Sequence, residues 1–163
     1  MIYHPLTQKI VSLLKDNNFW HETFEHEPVL TSEEASKVRT GYSLKQGTKA
    51  MIIRVKENSA EKNFIMLVIP GDKKINFKKF KKDFNFKDLT FANEEEIEKL
   101  TGGVKIGGIP PFGNLFDIRV IADPSVFENE KIIFNAGDRS FSVAMKSEDY
   151  TKLVNPKIYP IIS

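Results

Sequence analysis

Cysteine is absent from this chain. That removes thiol nucleophiles, disulfides and thiolate metal sites, and it fits a reducing compartment. Histidine is scarce, with three scattered residues, His4, His21 and His26. No zinc site and no Cys–His pair can be assembled from them, so no metal and no cofactor are expected. No G-x-S-x-G elbow occurs, and nothing else in the sequence argues for a serine nucleophile. No apolar run approaches a membrane span, and Met1-Ile2-Tyr3-His4-Pro5 does not begin as a signal peptide does, so a cytoplasmic location without membrane contact is expected. The net charge of +2 is too small to argue for nucleic acid by itself, and any such argument rests on where the charge sits.

The chain has 163 residues, 40% hydrophobic and 28% charged, which is ordinary for one globular domain spanning residues 1–163. Leu6, Ile10, Leu13 and Leu14 share one face at helical spacing and predict a helix over Leu6–Asn17. Trp20–Glu25 alternates and reads as a strand. Thr31-Ser32-Glu33-Glu34 matches a capping box, with Glu34 reaching back, ahead of a helix from Ser32 to about Arg39. Ala50–Val55 and Phe64–Ile69 are β-branched, apolar runs joined by the polar Lys56–Asn63, and they predict neighbouring antiparallel strands. Asn76–Asp83, with Phe77, Phe80 and Phe84, and Asn93–Leu100, with a second capping box, predict two more helices. Three strand-like runs follow, Phe116–Ile121, Lys131–Asn135 and Ser140–Met145. Asp123-Pro124-Ser125 predicts a turn or helix start, Asn135–Asp138 a hairpin-type turn, and Ser147–Val154 a last helix. The expected class is α+β, with a mixed, mostly antiparallel sheet and flanking helices.

The segment Lys105-Ile106-Gly107-Gly108-Ile109-Pro110-Pro111-Phe112-Gly113-Asn114 stands out. Glycine lets a ligand approach the main chain, and proline stiffens the loop and removes donors. The N–H groups of Gly107, Gly108, Ile109, Phe112 and Gly113 then need partners, and a carbonyl, an ester or a phosphate would suit them. A tight connection between elements explains the same composition. Lys49 follows the flexible Gly47-Thr48 at the start of an apolar strand, either aimed into a cleft or simply solvated. His26 sits at a strand-to-loop junction, as an acid, a base or ligand contact, or as a structural histidine. Lys73, Lys74, Lys78, Lys79, Lys81 and Lys82 form the densest basic run. Interleaved phenylalanines would turn these lysines outward, toward RNA phosphates or toward water.

Taken in order, Glu25-His26-Glu27-Pro28 with Thr31, Gly47-Thr48-Lys49-Ala50-Met51, Val68-Ile69-Pro70-Gly71-Asp72, Phe91-Ala92-Asn93 leading to Thr101-Gly102, Gly107–Gly113 and Asn135-Ala136-Gly137 form a specific set. That set resembles the YbaK/prolyl-tRNA synthetase-associated editing domain family over roughly His4 to Tyr150. The resemblance implies a freestanding, trans-acting aminoacyl-tRNA deacylase that hydrolyses the ester of mischarged tRNA, typically tRNA(Pro) carrying Ala or Cys. It implies catalytic roles for Lys49 and for the G-x-x-x-P loop, Gly107, Gly108, Ile109 and Pro111. It places His26, Thr31, Gly137 and Ser142 against the substrate, and some relatives carry Asp where this chain has Ser142. Water would be the nucleophile, the tRNA acceptor end the partner, and an aminoacyl-tRNA synthetase a further partner. The alternative is a non-catalytic tRNA-binding or synthetase-associated adaptor module of the same fold.

Overall fold

The structure, a computed structural model, describes residues 2–57 and 61–163. Residues 58–60, within the connection expected at Lys56–Asn63, lie outside the described residues. The strands form two sheets where one mixed sheet was predicted. The smaller is antiparallel throughout, in the order β1 (His21–Glu25), β7 (Phe141–Lys146), β6 (Lys131–Asp138). The larger runs β4 (Asp88–Phe91), β2 (Thr48–Lys56), β3 (Lys62–Pro70), β5 (Arg119–Ala122), β8 (Lys157–Ile158). β2 and β3 pair antiparallel as predicted, with Ala50 opposite Val68, while β5 and β8 join in parallel. The sheets touch where Gly47 bridges Ile133, whose N–H donates to Gln46 O at 3.0 Å. That seam positions the site.

Among the described residues five α-helices pack around the sheets: α1 (Pro5–Asp16), α2 (Ser32–Val38), α3 (Phe77–Asp83), α4 (Glu94–Thr101) and α5 (Ser147–Val154). α1 buries Leu6, Ile10 and Leu14, and its Thr7 hydroxyl donates to Ala136 O of β6 at 2.6 Å. α4 carries the expected capping box, Asn93 taking the Glu96 N–H while Glu96 reaches back. α2 has only half of one. Thr31 Oγ1 accepts from Glu34 N at 3.1 Å, but the Glu34 carboxylate takes the Thr31 hydroxyl instead of the cap N–H. One core lies between the sheets around Met66, Phe112, Phe134 and Tyr150. A second lies under α3, where Phe80 packs on Ile53, Ile65 and Leu67. Among the described residues no helix is long and apolar enough to cross a membrane.

Other boundaries differ for local reasons. Gly113–Phe116 winds into a 3₁₀ turn ended by Asp117 at φ 57°, so the strand predicted from Phe116 begins only at Arg119. Residues 135–138 do not turn. β6 continues through them with a register shift, and the reversal falls at Arg139 and Ser140.

The expected start at Asp123 is a 3₁₀ turn over Pro124–Glu128. Asp123 is buried and accepts from Ser125 N at 2.9 Å, from the Ser125 hydroxyl and from Ile161 N at 2.8 Å. Burial pushes its pKa up, but the donors from Ser125 and Ile161 outweigh that and hold it below the ordinary carboxylate value. A depressed folded pKa contributes stability that is present above the unfolded value and lost as pH falls through the folded one. Asp123→Ala should therefore cost about 2–3 kcal/mol in urea titrations at pH 7, by orphaning buried donors. The gap to wild type should narrow below pH 4. A gap that is constant with pH would show that the carboxylate charge contributes nothing.

Candidate active site

A cavity of about 170 Å³ opens at the seam between the sheets. Its walls come from α2 and the residues before it (Leu30, Thr31, Ser32, Ala35), from Arg39 just after α2, and from Gly47–Ala50 at the start of β2. Gly107 and Ile109 of the Gly/Pro loop and Asn135 of β6 complete it. Alternation along β2 groups Lys49 with Met51 and Ile53, on the α3 side, and Ala50 with Ile52 on the other. Because the cavity meets four consecutive residues, it wraps the end of the strand instead of lying over one face.

The loop is held by its carbonyls. Lys105 O accepts from Gly108 N at 2.9 Å, and Ile106 O from Arg139 Nε at 2.6 Å. Gly107 O takes Asn135 Nδ2 at 2.7 Å, Gly108 O takes Gly137 N at 2.8 Å, and Pro111 O takes the buried Tyr150 hydroxyl at 2.5 Å. Gly107 sits at φ +93°, a conformation that L side chains rarely adopt. With the carbonyls turned into the protein, the N–H groups of Gly107 and Ile109 have no acceptor among the described residues, and both residues line the cavity. The Gly108 N–H, expected to be free, is spent within the loop.

Behind the cavity runs a polar network that sequence reasoning saw only in part. Arg39 Nε donates to Ser142 Oγ and Arg39 Nη2 to Asn135 Oδ1, each at 3.0 Å. Ser142 Oγ also lies 2.7 Å from His26 Nε2 and 3.0 Å from Asn135 Oδ1. His26 Nδ1 faces Glu27 O at 2.8 Å, and a carbonyl only accepts, so Nδ1 carries a proton. The one Ser142 hydroxyl proton then has two acceptors in reach, Asn135 Oδ1 and, in the neutral ring, the bare Nε2. Burial lowers the Arg39 pKa to about 10, which leaves the guanidinium charged at neutral pH.

Of the residues predicted for the site, Lys49, Thr31, Gly107 and Ile109 come together on the cavity wall. Gly108, Pro111, His26, Ser142 and Gly137 do not line it. They stand one layer back, where they anchor the loop or the network. Lys49 is half-buried and makes no ion pair among the described residues. The six lysines of the basic run lie away from the cavity wall, and Lys79 is engaged by Asp83 at 2.7 Å and by the Tyr159 ring. Arg39 was missed. Its signal was an arginine closing a capped helix with Ala35 and Ser36, and no acid, at the positions four and three residues before it.

A small cavity walled by free main-chain donors and a lysine, at the meeting of two sheets, fits ester or phosphate chemistry. The comparisons make the class definite: the aminoacyl-tRNA editing domain matches residues 26–153, and the chain belongs to that family. Among individual proteins, it is 30% identical to the multifunctional Ser/Thr-tRNA deacylase ProXp-y of Escherichia coli K12, over 93% of this chain and 89% of that one. It is 25% identical to the prolyl-tRNA editing protein ProX of Acetoanaerobium sticklandii, over 90% and 89%. In structure it superposes on a candidate trans-editing enzyme for prolyl tRNA synthetase with a TM-score of 0.81, 17% identity and 99% of both chains covered.

Proposed function

We propose that this chain, acting as one domain over residues 1–163 in the cytoplasm, is a trans-acting aminoacyl-tRNA deacylase that hydrolyses the ester of a mischarged tRNA. The observation that carries the reading is the loop, whose carbonyls are tied back while the Gly107 and Ile109 N–H groups stay free beside the cavity. An ester carbonyl under attack gathers negative charge on oxygen, and fixed backbone donors stabilise that charge with no reorganisation. Lys49 adds a positive charge on the same wall, toward the developing oxyanion or the terminal phosphate. Water is the nucleophile, and exposed Leu30 on the cavity wall marks its solvent side. Pro111 and Gly108 act by holding the loop, and His26, Ser142 and Gly137 by backing it.

The cavity volume supports a small amino acid. The family resemblance points to Ala or Cys on tRNA(Pro), with a synthetase as a further partner. The name of the Escherichia coli relative extends the range to Ser and Thr. Lys73, Lys74, Lys78, Lys81 and Lys82 form a basic face suited to the tRNA backbone. The direct test is release of amino acid from tRNA(Pro) charged with Ala, Cys or Ser. Hydrolysis of at least one ester well above the spontaneous rate is expected. Salt-sensitive tRNA binding without hydrolysis of any ester would replace this reading with that of an adaptor.

A further inference from the structure

We propose that Phe91 is a stacking platform for an unpaired base in the 3′ tail of the tRNA, propped by Phe77 and flanked by phosphate-binding lysines of α3. This rests on the deacylase reading above and deepens it, by giving the nucleotides next to the ester a place on the protein.

Phe91 closes β4 and is 56% exposed, between half-buried Thr90 and buried Ala92. Its ring stands 5.2 Å from that of Phe77, with 75° between the planes. Such an edge-to-face contact fixes a ring and leaves part of its surface open. An aromatic held in this way suits a nucleobase, because every base offers a π-face and stacking needs no particular sequence.

Position argues for this occupant. Phe91 pairs with Ile53 of β2, so both side chains lie on the α3 side of the sheet, the side of Met51 and Lys49. Lys49, on the cavity wall, precedes Ile53 by four residues. Phe91 therefore stands about 13 Å along the sheet from Lys49 and about 5 Å to one side. A single strand advances about 3.4 Å per stacked nucleotide, and about twice that when extended. A base over Phe91 then lies about two to four nucleotides from the ester, within the unpaired tail.

Charge agrees with position. Lys78 follows Phe77 directly, and Lys81 lies one turn along the same face of α3. Both are exposed and make no ion pair among the described residues. The acids that follow Phe91, Glu94 to Glu96, belong to α4, whose Ile97 packs into the core on the opposite face of the sheet. Glu96 is further engaged by Arg54 at 3.2 Å.

The experiment uses the full chain, first in binding. Phe91→Trp puts an indole at the platform, and wild type, with Trp20 alone, gives the background. Uncharged hairpins of the tRNA acceptor stem, either with the unpaired tail or blunt-ended, are titrated in. The tailed hairpin should quench the added indole, and the blunt one should leave it unchanged. Equal quenching by both, or by neither, would overturn the proposal.

In kinetics, Phe91→Ala and Phe91→Leu should each lose about 5–100-fold in kcat/KM on charged tRNA, mainly through KM, the range for one base–aromatic stack. Leucine keeps apolar surface but offers no π-face. On the matching aminoacyl-adenosine, which ends short of Phe91, both variants should equal wild type. Thermal melting checks that they fold. Wild-type kcat/KM on charged tRNA in a folded Phe91→Ala variant, or an equal loss on aminoacyl-adenosine, would overturn the platform and leave the deacylase reading intact. Failure of wild type to hydrolyse any ester would overturn the deacylase reading, and the quenching comparison would still decide the platform.

Discussion

Replacing Lys49 by alanine should lower kcat/KM on a charged tRNA by about 10²-fold or more, the scale of losing one charge-stabilising group. Lys49 lines the cavity beside Gly107 and Ile109, and no acid neutralises it among the described residues. Its charge is therefore available to the ligand, and its removal leaves no orphaned partner in the protein. Because it is half-buried at a strand end, melting should stay close to wild type, which separates lost chemistry from lost fold. Lys49→Met keeps the apolar stem and should be as impaired as the alanine variant. Lys49→Arg should not restore the rate, since a broad planar fork cannot place a point charge at the same spot. The kinetic split identifies the role. A fall in kcat means that Lys49 acts on the developing oxyanion, whereas a raised KM with a salt slope smaller by about 1 means that it holds a phosphate. Full activity in Lys49→Met would remove it from the site.

Gly113→Ala should be the most damaging single methyl group in the loop region, and its effect should fall on stability. A Cβ at Gly113 would stand 2.6 Å from Val120 Cγ2 and 2.8 Å from Ile118 O. Val120 is core, and the Ile118 carbonyl is main chain whose own N–H donates to Gly113 O, so neither neighbour can yield cheaply. Overpacking of this kind costs about 3 kcal/mol at the upper end of its usual range. For a chain of this size that lowers Tm by about 6–12 °C. Differential scanning calorimetry measures it directly, and a shift below about 2 °C would mean that the 3₁₀ turn relaxes around the methyl group. Gly107→Ala should behave differently. Its nearest clash is the end of the Arg139 side chain, at 3.3 Å, so the positive φ is the main obstacle and the loop, not the core, is disturbed.

Local chemistry was legible wherever it is local. The spacing of Leu6, Ile10 and Leu14, the Asn93–Glu96 box and the paired apolar runs of β2 and β3 each announce an element through contacts a few residues away. The Gly/Pro loop was legible as stiff. The division into two sheets was not, because the β3–β5 and β1–β7 pairings join segments that carry no mark of each other. β4 and β8 are short edge strands, too brief for alternation to register. Asn135 looked like a turn residue because Asn-Ala-Gly-Asp is turn-like, yet hydrogen bonding to β7 carries the strand through it. Arg39 looked like the last residue of a helix, and its burial depends on Ser142 and Asn135, about a hundred residues later.

The Asn135 amide has one more consequence. Its oxygen receives Arg39 and its nitrogen grips the Gly107 carbonyl, so a single planar group spans the cavity floor and the loop. A plane cannot tilt at one end only. Substitutions at positions 39, 135 and 142 should therefore combine non-additively with those in the loop. A replacement at any of these three positions should shift the Gly107 end of the loop as well, so that its effects on substrate binding and on turnover appear together.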